Sequence, residues 1–276
     1  MKLALKELKY YKFKYLLVTL ILFLLAFLVL FISALAQGLA KENVSGVEQW
    51  NKSEYVIAND ADNNLGQSDI SGKNEAKVQD IAKGDTIRTA MQKINTDDGK
   101  ADIMFTQLTN NIQPKPSEGE LPSNGNEVLL NEKLKAEGFE IGDKIKLSDE
   151  NQTFKIVGFA DNLMYSHTSM AYVNEAGMDD LKGNHIALIA YDNLNSNQKN
   201  QINDLENVKV IPQSDLMDAI PSYNAEQQPL NLMIVFLFVI SAIVITAFFY
   251  VMTIQKTSQF GILKAIGTKN KQLISS

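Results

Sequence analysis

Two histidines, His167 and His185, are the side chains in this 276-residue sequence best suited to hold a metal or pass a proton, and they stand eighteen residues apart. A zinc site needs three or four ligands converging on one point, so two imidazoles without a third are a poor one. Both read as ordinary surface or core residues. A second candidate is the stretch Asn59 to Gly72 (NDADNNLGQSDISG), whose acid and amide oxygens would suit calcium. It lacks the glycine at position six and the glutamate at position twelve that an EF-hand loop requires, and it reads as solvated turn. There is no cysteine, which removes thiolate nucleophiles, iron–sulfur clusters and zinc–thiolate sites. The phosphate loop G-x-x-x-x-G-K-[ST], the G-x-S-x-G elbow and the H-E-x-x-H pair are all missing. The chain is therefore expected not to be an enzyme.

Two apolar runs organise the rest. Tyr15 to Ala36 and Leu230 to Ile254 carry no charged residue, and the second, at twenty-five residues, is long enough to cross a hydrocarbon layer of ~30 Å as a helix. A basic start followed by Ala34-Leu35-Ala36 resembles a signal-peptide cleavage site, but the run exceeds the ~7–15 residues of such a segment. Nine lysines and one acid flank the two runs on their outer sides, leaving 17 bases and 31 acids between residues 37 and 229. By the positive-inside rule both termini are cytoplasmic and the acidic middle lies outside the cell membrane. That acidity argues against a nucleic-acid surface. The expected fold is a membrane protein: α-helical transmembrane segments with a mixed α+β extracytoplasmic domain inserted between the first and the second.

The expected organisation is a cytoplasmic amphipathic helix over 1–14, a first span over 15–36, the α+β domain over 37–229, a second span over 230–254 and a cytoplasmic coupling segment over 255–276. Trp50 is placed as an anchor at the outer interface. Within the domain, Tyr55 to Ala58 reads as a strand, Lys73 to Lys93 as mixed and partly helical, and Ala101 to Leu108 as a strand. Three prolines and two glycines make Gln113 to Asn126 a loop between lobes. Beyond it come a strand at Glu127 to Leu130, a short helix stopped by Gly138, a hairpin of Lys144 to Leu147 with Thr153 to Phe159, and a strand at Ser169 to Val173. A helix capped by Asn174 follows. The strand His185 to Tyr191, the helix Ser196 to Leu205 and the strand Val208 to Ile211 form a strand–helix–strand unit, and Gln213 to Ile220 is a last short helix.

The stretch Gln259-Phe260-Gly261-Ile262-Leu263-Lys264-Ala265-Ile266-Gly267 resembles the cytoplasmic segment of FtsX/MacB-type ABC transporter permeases. The lysine-rich opening and the run Ile141 to Leu147 followed by Phe154 to Phe159 are similar to that family too, and the likeness is closest to the HrtB-type branch of hemin efflux systems in Gram-positive bacteria. The resemblance implies that Phe260, Ile262, Leu263, Lys264, Ile266 and Gly267 dock on a separate ATP-binding cassette subunit, two copies of which serve a permease homodimer in the lipid bilayer. ATP is then met only through that partner, whose closure reaches the outer domain as a tilt of the helices. Such permeases carry four spans, so a third and a fourth are expected where this sequence has none, and Gln259 stands where many relatives have an acid.

The same resemblance makes heme a transported substrate and not a resident cofactor. Met233, with Glu42, Glu48 and Tyr223, is the expected set to receive or coordinate it, since iron accepts thioether, carboxylate or phenolate ligands. Permeases of this architecture for lipoproteins or peptides, and an FtsX-like regulator of a cell-wall hydrolase, remain alternatives. A sensor input module is a further one, although it should continue into a signalling helix and not into the docking stretch.

Overall fold

The computed structural model describes residues 9–96, 99–109, 111–148 and 152–265. They fall into two compact units, a helical one up to Gln37 and from Gln228 onward, and an α/β one over Gly38–Gln227. Six α-helices are described: α1 (Lys12–Gln49), α2 (Gly72–Ile81), α3 (Glu175–Asp179), α4 (Ser196–Asn203), α5 (Gln213–Asp218) and α6 (Pro221–Ala265).

In the helical unit the apolar stretches of α1 and α6 reach a mean hydropathy of 3.1 and 3.0, and almost none of either is buried against protein. Leu16, Phe23, Phe27 and Leu30 on α1, with Phe236, Phe238, Ile243 and Phe249 on α6, stand exposed. Apolar surface of that extent is stable only in a solvent of hydrocarbon, which a bilayer supplies. Phe23, Phe27 and Phe31 stack at one-turn spacing, 6.4 and 6.2 Å between ring centres. The hydroxyls of Ser241, Thr246, Thr253 and Thr257 each donate to the carbonyl four residues back at 2.7–2.8 Å, which hides them from lipid. At the charged ends, Lys14 donates to the Gln255 side chain.

Both helices outrun their expected bounds. The span read as ending at Ala36 continues to Gln49, because Val44 and Val47 keep helical spacing and are buried in the α/β core. Trp50 is correspondingly no interfacial anchor: it is 2% exposed, and its indole N–H donates to the Tyr172 hydroxyl at 2.8 Å. α6 merges the approach, the second span and the start of the coupling segment, since Gln255 to Gln259 holds neither glycine nor proline. It also contains Pro229, which leaves the Ala225 carbonyl without its usual donor.

The α/β unit is built on eleven strands: β1 (Glu54–Ala58), β2 (Asp85–Thr96), β3 (Gly99–Gln107), β4 (Glu118–Gly119), β5 (Glu127–Asn131), β6 (Lys144–Lys146), β7 (Thr153–Ala160), β8 (Met164–Tyr165), β9 (Thr168–Val173), β10 (His185–Tyr191) and β11 (Val208–Pro212). The main order is β11-β1-β10-β2-β3-β9-β5-β7-β4, with β6 added to β7 and β8 to β9. β1 lies antiparallel to both β10 and β11, so those two run parallel and α4 makes the crossover between them. β3 with β9 and β5 with β7 are the parallel pairs.

Both faces of the sheet are covered. Along β3, Met104 enters one hydrophobic core while Ile103 and Phe105 enter the other; along β9, Met170 and Tyr172 join the first and Ala171 and Val173 the second. This is the period of two of an extended chain. It explains why these strands read as nearly unbroken apolar runs. The stretch Lys73 to Lys93 divides into α2, whose N-terminus the Ser71 hydroxyl caps, and most of β2. β2 escapes recognition because Thr, Arg, Gln and Lys interrupt its apolar positions; eight residue pairs with β3 hold it as a strand.

Candidate functional site

Where the last turns of α1 meet the β8–β9 turn and the start of α6, the α/β unit encloses a polar knot. At its centre is Asn43, fully buried. Its amide nitrogen donates to the Leu39 carbonyl and to Glu226 Oε2, both at 3.0 Å, and its amide oxygen accepts from Ser222. The Ser222 and Ser166 hydroxyls share a hydrogen bond of 2.9 Å. The other oxygen of Glu226 lies 2.7 Å from His167 Nε2. Every polar group in this knot therefore has a partner, which is what lets it survive burial.

Ser166 and His167 form the two-residue turn between β8 and β9 and both have positive φ, 49° and 62°. A turn of this kind favours Asn and Gly. Here the cost is offset from outside: the Ser166 and His167 amides donate to the Asn43 and Glu42 carbonyls of α1 at 2.9 and 3.3 Å. Gly46, one turn further on, permits the close approach. A Cβ at that position would stand 2.0 Å from Met170 Sδ and 3.0 Å from the Met164 carbonyl. Gly46→Val is expected to lower stability by about 1–3 kcal/mol through overpacking, read as a fall in the thermal unfolding midpoint of the purified protein. An unchanged midpoint would contradict this packing.

Beside the knot opens a cleft of about 370 Å³, lined by Lys41, Glu42 and Ser45 from α1, by Asn131 to Lys133, and by Asp161, Asn162 and Met164. Lys133 is ion-paired with Glu42. Glu132 and Asp161 face each other: Glu132 raises the Asp161 carboxyl above the usual range, while Asp161, Ser117 and Lys135 hold Glu132 below it. Ser45 is only 2% exposed, and its hydroxyl has no partner among the described residues.

The expected site residues distribute as follows. Glu42 borders the cleft, Glu48 is exposed in α1's last turn two residues before the buried Trp50, and Tyr223 packs partly against the first hydrophobic core. Met233 belongs to the helical unit and is 47% exposed. Ile262 and Lys264 are exposed on the last turns of α6; Ile266 and Gly267 lie outside the described residues, as do the side chains of Phe260 and Leu263. His167 and His185 have separate partners, Glu226 for the first and Thr89 with the Gly183 carbonyl for the second. Among the described residues no group of three metal-binding side chains converges. Asn43, Ser45, Lys133, Ser166, Ser222 and Glu226 were not legible as site residues; the one signal was polar Asn43 and Ser45 interleaved with Val44 and Gly46 soon after the apolar run ends.

No protein-family model matches the chain. It is 39% identical over all 276 residues to a protein of Staphylococcus epidermidis named as hemin transport system permease protein HrtB, covering 79% of that protein. A Staphylococcus haemolyticus protein of the same name is 38% identical over the same length. Among solved structures, the extracellular domain of the ABC-type transporter YknZ from Gram-positive bacteria matches 58% of this chain and 98% of its own, with a TM-score of 0.40 and 9% identity.

Proposed function

Because the chain belongs to the HrtB family of hemin transport system permeases, we propose that it is the membrane subunit of an ABC transporter that exports heme from the membrane, powered by a separate ATP-binding subunit. The observation that carries this reading is that the identity runs through all 276 residues, both apolar helices and the end of α6 included, and not through the α/β unit alone. The protein resides in a membrane. In this reading α1 and α6 cross it, both ends of the chain face the cytoplasm, and the acidic α/β unit faces out. Two copies of the permease pair with two ATP-binding subunits, which grip the exposed face of Ile262 and Lys264 together with Phe260, Leu263, Ile266 and Gly267.

ATP-driven closure of those subunits would reach the α/β unit along α1 and α6. Both helices run unbroken by register, 38 and 45 residues. Gly38 and Pro229 mark the two points where they are softest, one without a side chain and one without an amide donor. Heme, flat and apolar with two carboxylates, would reach the protein from the outer leaflet. Met233 offers iron a thioether, Glu42 and Glu48 a carboxylate, and Tyr223 a phenol. The polar groups found on this chain are binders and positioners, and chemistry on ATP belongs to the partner.

The test is co-expression with the ATP-binding subunit, reconstitution into vesicles and measurement of ATP-dependent heme release. Release that depends on both subunits is expected; an assembled complex that hydrolyses ATP yet moves no heme would favour the lipoprotein or peptide alternative. Met233→Leu and Glu42→Gln are each expected to weaken heme binding about tenfold and to shift the Soret band. Unchanged absorbance in both variants would remove them from the site.

A further inference from the structure

We propose that the cleft beside Glu42 receives a carboxylate arm of the porphyrin, and that this carboxylate takes Lys133 from Glu42. The proposal rests on the heme-export reading and adds to it a second contact point, separate from the iron. Size is the first argument: about 370 Å³ is at the lower end of ligand pockets, enough for a carboxyethyl arm and not for a whole macrocycle. Charge is the second. Of the acids lining the cleft, Glu132 is already fastened by Ser117 and Lys135. Among the described residues Lys133 is instead held by Glu42, in a pair whose side chains are 51% and 36% exposed. A pair so exposed to water is weak and readily exchanged for another carboxylate.

Ser45 supplies the third argument. It shares with Lys41 and Glu42 the face of α1 that lines the cleft. Among the described residues its buried hydroxyl has no hydrogen-bond partner, a state that buried polar groups rarely keep. A carboxylate oxygen between Ser45 and Lys133 would satisfy both, and Lys41 adds positive charge at the same wall. Asn131, by contrast, is fully committed: its amide nitrogen donates to the Leu163 carbonyl at 2.8 Å and its oxygen accepts from the Lys133 amide at 3.2 Å. That bond fixes the backbone from which Lys133 reaches. Exchange at Lys133 would also release Glu42, so that binding of the arm and freeing of a carboxylate for iron become one event.

The experiment titrates the full chain in lipid nanodiscs with hemin and with hemin dimethyl ester, in which both carboxylates are masked and the iron is unchanged. The wild-type protein is expected to bind hemin about tenfold more tightly than the ester. Lys133→Gln and Ser45→Ala should each lose most of the preference for hemin over the ester, about fivefold, while Lys133→Arg should retain it. Equal affinity of the wild type for the two ligands, or variants that weaken both alike, would overturn the proposal while leaving heme export standing. Failure of the wild type to bind either ligand would overturn the export reading, and this inference with it.

Discussion

Asn43→Asp is expected to destabilise the α/β unit by about 3–5 kcal/mol near pH 8, the range for an uncompensated buried charge. Asn43 is fully buried, and its amide nitrogen sits 3.0 Å from Glu226 Oε2. An aspartate there sets a second carboxylate against the first and removes the donor that joined them. The Ser222 hydroxyl and the His167 imidazole would then face two acids in a space built for one. Like charges at this range favour protonation, so the new carboxyl has a folded pKa above its unfolded value of ~3.9. The sign follows: the variant's stability is highest at low pH and falls as pH rises. Thermal unfolding at pH 5.5 and pH 8 should show the larger deficit at pH 8. Asn43→Leu, which loses hydrogen bonds without adding charge, should cost about 1–3 kcal/mol with little pH dependence of its own. An Asn43→Asp protein as stable at pH 8 as at pH 5.5 would mean that the Glu226 carboxylate does not sit where the knot places it.

The knot also shows where sequence stops being informative. Membrane helices announce themselves by composition, so α1 and α6 were visible as two uncharged runs. The parallel pairing of β3 with β9 and of β5 with β7 could not, since it depends on segments far apart in the chain. β2 was hidden for a related reason: its fitness as a strand lies in the eight pairs it makes with β3 and not in its own residues. Trp50 illustrates the error in the other direction. An aromatic residue just past an apolar run has the composition of an interface anchor, yet continuation of the helix carries it into the core, where Tyr172 receives its N–H. Glu42 was singled out for its chemistry, but its partner Lys133 lies ninety-one residues away and becomes visible only once β5 is in place.

Raising the pH should unfold the α/β unit cooperatively, with a midpoint near pH 11, and the tyrosines would drive it. Tyr55, Tyr165, Tyr172 and Tyr191 are all buried. Burial raises each phenol above its ordinary range, Tyr165 to about 12. Tyr55 feels Tyr172 as well, and the hydrogen bond from Trp50 to Tyr172 opposes burial without outweighing it. A folded pKa above the unfolded ~10 means that stability is fully present below pH ~10 and lost as pH climbs toward the folded value. Each such tyrosine then removes about 1.4 kcal/mol per pH unit, and four together roughly 6 kcal/mol, a large share of the ~5–15 kcal/mol that holds a domain together. Lys52 adds to the trend: burial works against its charge, but Asp192 and Asp85, at 3.0 and 3.1 Å, raise its pKa on balance, so its contribution too disappears at high pH. Absorbance at 295 nm and near-UV circular dichroism should therefore change together in one sharp step. Tyr165→Phe should make that step about a quarter less steep, since it removes one of four titrating groups. Gradual ionisation from pH 10 with native dichroism retained would place these phenols in contact with water and contradict the packing of the core they share.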